Sequence, residues 1–490
     1  MSIAESKNPS RVFVAVFDGL RPDLVRPDLT PNILRVAARG EWFRKARSVF
    51  PPVTRVATTS IATGAPPATH GVVGNTFYFP EILRDRIFDT SKFAHIKAAE
   101  TALDGGYVTA TTFGDQLAKA GKMMCVVHAG SAGSAHSINP RAKANGHWTF
   151  SILGEDATQT PEAVREVVEK LGPTPAKELP KLQDQNYAAR VMTQIVLPRK
   201  PDVALIWFSE PDTSFHFLEI GSEGAFAALR NADRAFGEIL DAIEAEPDAD
   251  EVAIIIASDH GQISTTAALP LIDQAIAAGF EMGRSADLDG KAFAATSGSS
   301  GEIRALSASA AEVEKLAHWL MEHPDVSHVL SADKNGVEGV IEGTLSLAAL
   351  GHGHARAADL MFILRSDLSN DIYGLPGLGL LMPGDVAPGG GYHGGVNPHE
   401  LNTVLIACAP SRFPCGVISQ RAAGIIDIGP TILDLLDVPA ADTMVGKSLA
   451  RAAQNEARLQ SVDAGKGSFA QQIVRVDEDG RSFILHGGQA

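Results

Sequence analysis

The chain has 490 residues, 45% of them hydrophobic and 20% charged, with a net charge of −16 at pH 7, which suits a globular protein of roughly two to four domains. That acidity excludes a surface that binds nucleic acid by neutralising its phosphates, though not a small anionic substrate held through metal ions. Three cysteines, Cys125, Cys408 and Cys415, without CxxC spacing exclude a disulfide framework and a thiolate zinc site.

In chain order, Met1 to Pro9 is polar and no run reaches the ~20 apolar residues of a membrane span, so the expectation is a cytoplasmic protein without membrane contact. Arg11 to Phe17 is a continuous apolar run ending in Asp18, the pattern of a strand buried on both faces of a parallel sheet, beyond whose end ligands bind. Phe50-Pro51-Pro52-Val53 leads into a helix that Gly64 ends, with Thr54 expected at or near its N-cap, where free N–H groups favour an anion. Asn75 to Pro80 is an aromatic loop expected to pack on the core. Residues 112–121 read as a helix, Lys122 to His128 as a short strand, and Gly130 to Ser134 as a small-residue loop with neither nucleotide fingerprint.

Residues 151–182 mix charged, proline and alanine positions and read as a surface excursion before a helix over 183–197. Asp202 to Phe208 is a second buried strand, followed by Asp212 and His216, four apart, which in a first helical turn face one ion. Gly224 to Ala245 has the spacing of a crossover helix, and Glu251 to Ser258 is a third buried strand ending in Asp259-His260-Gly261. Burying that Asp and His without partners would be costly, so they point to function. Residues 264–388 read as an inserted α+β cap with a helix over 309–323, and His352 and His354 as loop histidines. His393 lies among glycines that let it turn inward. Asp427 is expected to cap a helix from Ile425 to Leu436, and Glu478-Asp479-Gly480 to turn a hairpin within Gln472 to Leu485.

Together these elements predict an α/β fold: a doubly wound, mostly parallel sheet flanked by helices. Its core spans 1–263 and 389–450, interrupted by the cap at 264–388 and followed by a tail at 451–490. The strand ends collect Asp18, Thr54, Asp212, His216, Asp259, His260 and His393, enough oxygen and nitrogen donors for two divalent ions. Such donors suit Zn²⁺, with Mn²⁺ or another divalent ion as the alternative. Two ions clamp the attacking and leaving oxygens of an in-line displacement at phosphorus, which makes Thr54 a candidate nucleophile.

The ordered set Phe17-Asp18-Gly19-Leu20-Arg21-Pro22-Asp23, Thr30-Pro31-Asn32, Phe50-Pro51-Pro52-Val53-Thr54, Thr63-Gly64, His70-Gly71-Val72-Val73-Gly74-Asn75, Glu210-Pro211-Asp212 with His216, Ser258-Asp259-His260-Gly261 and His393-Gly394-Gly395 resembles the alkaline phosphatase superfamily. Within it, the nucleotide pyrophosphatase/phosphodiesterase branch is the nearest match. The resemblance implies an alkaline phosphatase-like fold and a two-zinc hydrolase of phosphodiester or pyrophosphate bonds, working on a small anionic phosphoester through a covalent phosphothreonine at Thr54. It implies Asp18, Thr54, Asp259 and His260 as ligands of one zinc, and Asp212, His216 and His393 as ligands of the other. Where that branch carries an aromatic base stacker, a proline and an asparagine phosphate donor, this chain has Arg55, Val56 and Ala57. Arg55 is therefore the expected grip on an anion and Tyr78 the expected stacking residue. The related phosphonoacetate hydrolases imply C–P bond cleavage as an alternative, but their substrate lysines have no counterpart in Val126 to Ser131. A phosphotransferase or mutase is the second alternative. Assembly of identical copies is compatible with the sequence.

Overall fold

The computed structural model describes residues 8–284 and 286–488; Met1 to Lys7, part of the polar segment behind the cytoplasmic expectation, lie outside them. No helix among the described residues is long and apolar enough to cross a membrane.

A mixed α/β fold is organised around an eight-stranded sheet. From one edge, its strands are Val417–Ser419, Glu41–Phe43, Leu405–Cys408, Val252–Ala257, Arg11–Phe17, Val203–Phe208, Met124–His128 and Trp148–Ser151. The five from Val252–Ala257 to Trp148–Ser151 run parallel, and Leu405–Cys408 is antiparallel to its neighbour. All seven residues of Arg11–Phe17 are buried, because the sheet has a core on each face. Phe13, Ala15 and Phe17 pack on one side with Phe208 and Phe236, while Val12, Val14 and Val16 pack on the other with Ala57, Ile61 and Trp207. The strand's alternation is thus apolar on both faces, which requires helices on both. With Val203–Phe208 on one side and Val252–Ala257 on the other, the carboxyl ends of three adjacent parallel strands open at one edge.

Residues 282–364 contribute a second sheet of six strands, covered by the helix Ala310–Glu322 and filled by its own apolar cluster, including Leu316, Leu320, Phe293 and Phe362. Ile263–Ala268 joins Pro376–Leu381, Ser366–Asn370 and Gly391–Tyr392 in a four-stranded sheet that carries His393 back to the main sheet.

The stretch read as a surface excursion contains the helix Pro161–Leu171, preceded by the edge strand Trp148–Ser151. The helix buries Ala163, Val164 and Val167, and its apolar positions recur at helical spacing through Val168 and Leu171 between Thr160-Pro161 and Gly172, a local signal that the expectation of a surface excursion passed over. Thr54 is the first residue of the helix Thr54–Thr63 and Val53 its extended N-cap, with no side-chain cap bond. Asp427 does not bond the first amides of the Ile428–Leu435 helix. Its carboxylate accepts from the Gly424 and Lys447 amides and from Arg481 instead. The expected hairpin at Glu478–Arg481 is present and is extended to a three-stranded meander by Arg458–Lys466.

Candidate functional site

Each site residue leaves the fold at the carboxyl edge of the main sheet. Asp18 follows the central strand, Asp212 opens the helix Asp212–Leu218 just past Val203–Phe208, and Asp259 and His260 follow Val252–Ala257. Thr54 enters on its helix N-terminus, and His393 on the turn after Gly391–Tyr392, where Gly394 takes φ +125. His260 Nε2 lies 3.2 Å from Asp259 Oδ2, 3.5 Å from Asp18 Oδ1 and 3.3 Å from Thr54 Oγ1. Asp212 Oδ1 is 3.3 Å from His216 Nε2 and 3.5 Å from His393 Nε2. All seven predicted residues therefore converge. Donor atoms of Asp212, His216 and His393 lie within 4.8 Å of one another, as do those of Asp18, Asp212 and His260, so Asp212 stands between the two ligand sets.

These side chains fit divalent ions in two respects. The three imidazoles are each held through Nδ1 by a backbone carbonyl: His216 by Gly391 at 2.7 Å, His260 by Gly261 at 3.1 Å and His393 by Pro52 at 2.8 Å. A carbonyl only accepts, so Nδ1 carries the proton and Nε2 presents its lone pair to the centre, as metal-ligating histidines do. Asp18 Oδ1 and Asp259 Oδ2 are buried and make no hydrogen bond, an arrangement costly for a carboxylate unless a cation answers it. Burial, then the charges of Asp259 and Asp212, push the Asp18 carboxyl well above its usual range, and burial raises Asp259 as well. Burial works against ionising Asp212, yet His216 beside it holds its carboxyl low. Burial and the neighbouring His260 push the His393 imidazole well down. Carboxylates and imidazole Nε2 atoms crowded in this way make a candidate cation site.

Above this centre lies a cleft of about 430 Å³, lined by Thr54, Arg55, Asn75, Asp212, His216, His393 and the segment from Thr296 to Glu302, among others. Asn75, the last residue of the run from His70, is one of the residues at this wall. Its Oδ1 accepts from the Arg55 amide at 3.1 Å, which orients its amide group over the helix N-terminus, where the first N–H groups lack helical partners. Ala57 is buried in the sheet core and Val56 in the aromatic cluster, because helical rotation turns both away from the cleft. Arg55 does line the cleft, its Nε donating to Thr90 Oγ1 at 3.2 Å. Tyr78 is not brought to the site. It packs beside Ile87 and Leu288 and donates to the Arg84 carbonyl at 3.1 Å, while Phe77 and Phe79 fill the core as expected.

Two further residues escaped sequence reasoning. Trp207 Nε1 donates to Asp18 Oδ2 at 3.0 Å, and Gln262 Nε2 donates to Asp212 Oδ1. Trp207 was hidden in an unbroken apolar strand; Gln262 lies two residues beyond His260, a position that could have signalled it. A separate cavity of about 530 Å³ beside the C-terminal meander is lined by Arg451, which pairs with Asp434, and by Arg481 paired with Glu478, among others.

The family profile of type I phosphodiesterases / nucleotide pyrophosphatases matches residues 12–367. A venom phosphodiesterase of Naja atra is 24% identical over 259 residues, 52% of this chain and 27% of that protein. One from Crotalus durissus collilineatus is 27% identical over 247 residues, 50% of this chain and 25% of that protein. An uncharacterized pyrophosphatase/phosphodiesterase of Schizosaccharomyces pombe is 37% identical over 71 residues, 14% of this chain and 15% of its own length. The matched stretch thus spans about a quarter of the length of the venom enzymes. Among solved structures, murine ectonucleotide pyrophosphatase/phosphodiesterase 5, as an inactive form in complex with AMP, superposes with a TM-score of 0.60 at 17% identity, covering 88% of this chain and 96% of that one. A second structure of the same murine protein gives 0.60 at 16% identity. At this identity the likeness is one of fold.

Proposed function

The chain belongs to the type I phosphodiesterase / nucleotide pyrophosphatase family, and on that premise we propose that it hydrolyses phosphodiester or pyrophosphate bonds through a covalent intermediate on Thr54. The observation that carries this reading is the position of Thr54 Oγ1, at a helix N-terminus and 3.3 Å from His260 Nε2, within the convergence of Asp18, Asp212, Asp259, His216 and His393. Asp18, Thr54, Asp259 and His260 would hold one ion and Asp212, His216 and His393 the other; the thiolate-free donor set favours zinc, with manganese the alternative. When bound, two such ions supply positive charge to the reacting oxygens and ease loss of the hydroxyl proton.

The chain's own groups account for the rest. Thr54 Oγ1 forms a bond to phosphorus while the bond to the departing oxygen opposite it breaks. Water then attacks the phosphothreonine, the Thr54–phosphorus bond breaks, and a phosphomonoester leaves with Thr54 reprotonated. Asn75 Nδ2 and the first N–H groups of the helix Thr54–Thr63 other than that of Arg55, which Asn75 Oδ1 takes, would hold non-bridging oxygens, and oriented donors of this kind favour the more highly charged transition state. Arg55 adds a guanidinium to the same wall. No observation favours a carboxylated phosphonate, because Arg55 is the only lysine or arginine among the described residues lining the cleft.

The test is turnover of an aryl phosphodiester by wild type, Thr54→Ala and Thr54→Ser, with acid-quench trapping of labelled phosphate on the protein. Wild type should carry label at residue 54 and Thr54→Ala should lose both label and turnover. Near wild-type turnover by Thr54→Ala sinks the reading.

A further inference from the structure

One carboxylate reaches the cleft from outside the metal centre. The strand Ser300–Ala305 of the second sheet places Ser300 and Glu302 on one face, two residues apart. Ser300 Oγ donates to the Gly394 carbonyl at 2.7 Å, fastening this strand to the turn that carries His393. Glu302 lines the cleft but is only 6% exposed. Its Oε1 lies so close to Gly74 that a Cβ there would stand 3.0 Å away, which puts the carboxylate beside Asn75. Its charge is met by His352, whose Nε2 lies 3.7 Å away, longer than a hydrogen bond, and by Arg304. The neighbouring wall offers the hydroxyls of Thr296 and Ser297, with Asp385 at the exposed rim. Arg55 is the only lysine or arginine among the described lining residues, so a second phosphate in this cleft would meet carboxylates with no further cation to balance it.

We propose that Glu302 is a specificity residue that selects phosphodiesters whose organic group carries hydroxyl or amine donors, a polyol or amino-alcohol ester, over substrates bearing additional phosphates. A carboxylate whose His352 partner stands beyond hydrogen-bond distance has acceptor capacity for such donors, and in its ionised form it repels a further anion. The proposal rests on the phosphodiesterase reading above for its substrate class.

The test compares kcat/KM of the full chain for 4-nitrophenyl phosphodiesters of glycerol, ethanolamine and methanol, with ATP hydrolysis alongside. Wild type should prefer the glycerol or ethanolamine ester to the methyl ester and should disfavour ATP. Glu302→Gln should shrink the preference over the methyl ester about ten-fold or more, mainly through KM, as loss of a hydrogen bond to a charged group does. The glycerol and ethanolamine arms distinguish a hydroxyl donor from an ammonium donor, and a loss in either supports the assignment. An equal loss on all three esters, or an unchanged ratio, overturns it. Asp385→Asn leaves the Glu302–His352 pair intact and should lower the same ratio by a smaller factor; no change in either variant overturns the assignment. Calorimetric binding of glycerol 3-phosphate against methyl phosphate separates this inference from its premise. Glu302-dependent preference without any turnover would refute the hydrolase reading and leave the specificity assignment standing, whereas equal binding refutes the assignment whatever the turnover.

Discussion

Replacing Trp207 by Phe removes a hydrogen bond to Asp18, one of the ligands of the proposed metal centre. The indole Nε1–H donates to Asp18 Oδ2 at 3.0 Å, with both side chains buried, and Asp18 Oδ1 already lacks a partner. A hydrogen bond to a charged acceptor contributes about 1.5–3 kcal/mol, equivalent to roughly ten- to a hundred-fold in the affinity of an ion that Asp18 holds. Burial raises the Asp18 carboxyl, Asp259 and Asp212 raise it further, and the Trp207 bond works in the other direction. Losing that bond pushes the carboxyl higher still, so the midpoint pH of metal uptake should move up. The indole also stacks on His128, with centroids 5.2 Å apart, and its truncation should cost stability through lost packing, roughly 1–2 kcal/mol. The two effects separate experimentally. Zinc competition against a chromogenic chelator across a pH series reads the affinity, and urea unfolding of the chelator-treated protein reads the packing. A stability loss with unchanged zinc affinity and an unchanged uptake midpoint would refute the role given to Trp207.

Asn75→Ala should lower kcat on an aryl phosphodiester by roughly 10²–10³-fold, as loss of one oriented oxyanion donor does; stopped-flow release of nitrophenol checks this, and a change confined to KM would contradict it. Burial pushes the Glu400 carboxyl up from 4.5 to about 7. The folded protein therefore keeps a proton that the unfolded chain releases, and this group's contribution falls as pH rises from 4.5 to 7. Relative to Glu400→Gln, the stability of the metal-free wild type should decline over that window by about 3 kcal/mol, measured by urea unfolding at stepped pH. Arg481→Met leaves Asp427 buried without the guanidinium that donates to it at 3.0 Å. The expected cost is roughly 3–5 kcal/mol, read as a lower urea midpoint, and a neutral result would show that the backbone donors to Asp427 suffice.

The amino-acid sequence alone determined the parts of this protein that depend on local pattern. Arg11–Phe17, Val203–Phe208 and Val252–Ala257 are unbroken apolar runs, and a strand buried on both faces must read that way. Each is followed within a few residues by Asp or His, and the parallel topology delivers those residues to one edge, so Asp18, Asp212, Asp259 and His260 stood out as candidate site residues from the local pattern alone. Helix Pro161–Leu171 carries the same kind of local signal, with apolar residues at 163, 164, 167, 168 and 171 behind Pro161, although its charged and proline-rich surroundings read as a surface excursion. Tertiary structure alone decided which side chains face the cleft. Ala57 occupies the position expected to donate to phosphate, yet helical rotation turns it into the core, and Asn75 reaches the same helix N-terminus from a separate loop. Tyr78, an aromatic in a suggestive loop, bonds Arg84 away from the site. Glu302 lies nearly 250 residues from Thr54 in the sequence, on a strand of another sheet, and only the packing of that sheet onto the His393 turn brings it into the cleft. Short-range periodicity carries no record of such a contact, since it is set by how two separately folded layers dock.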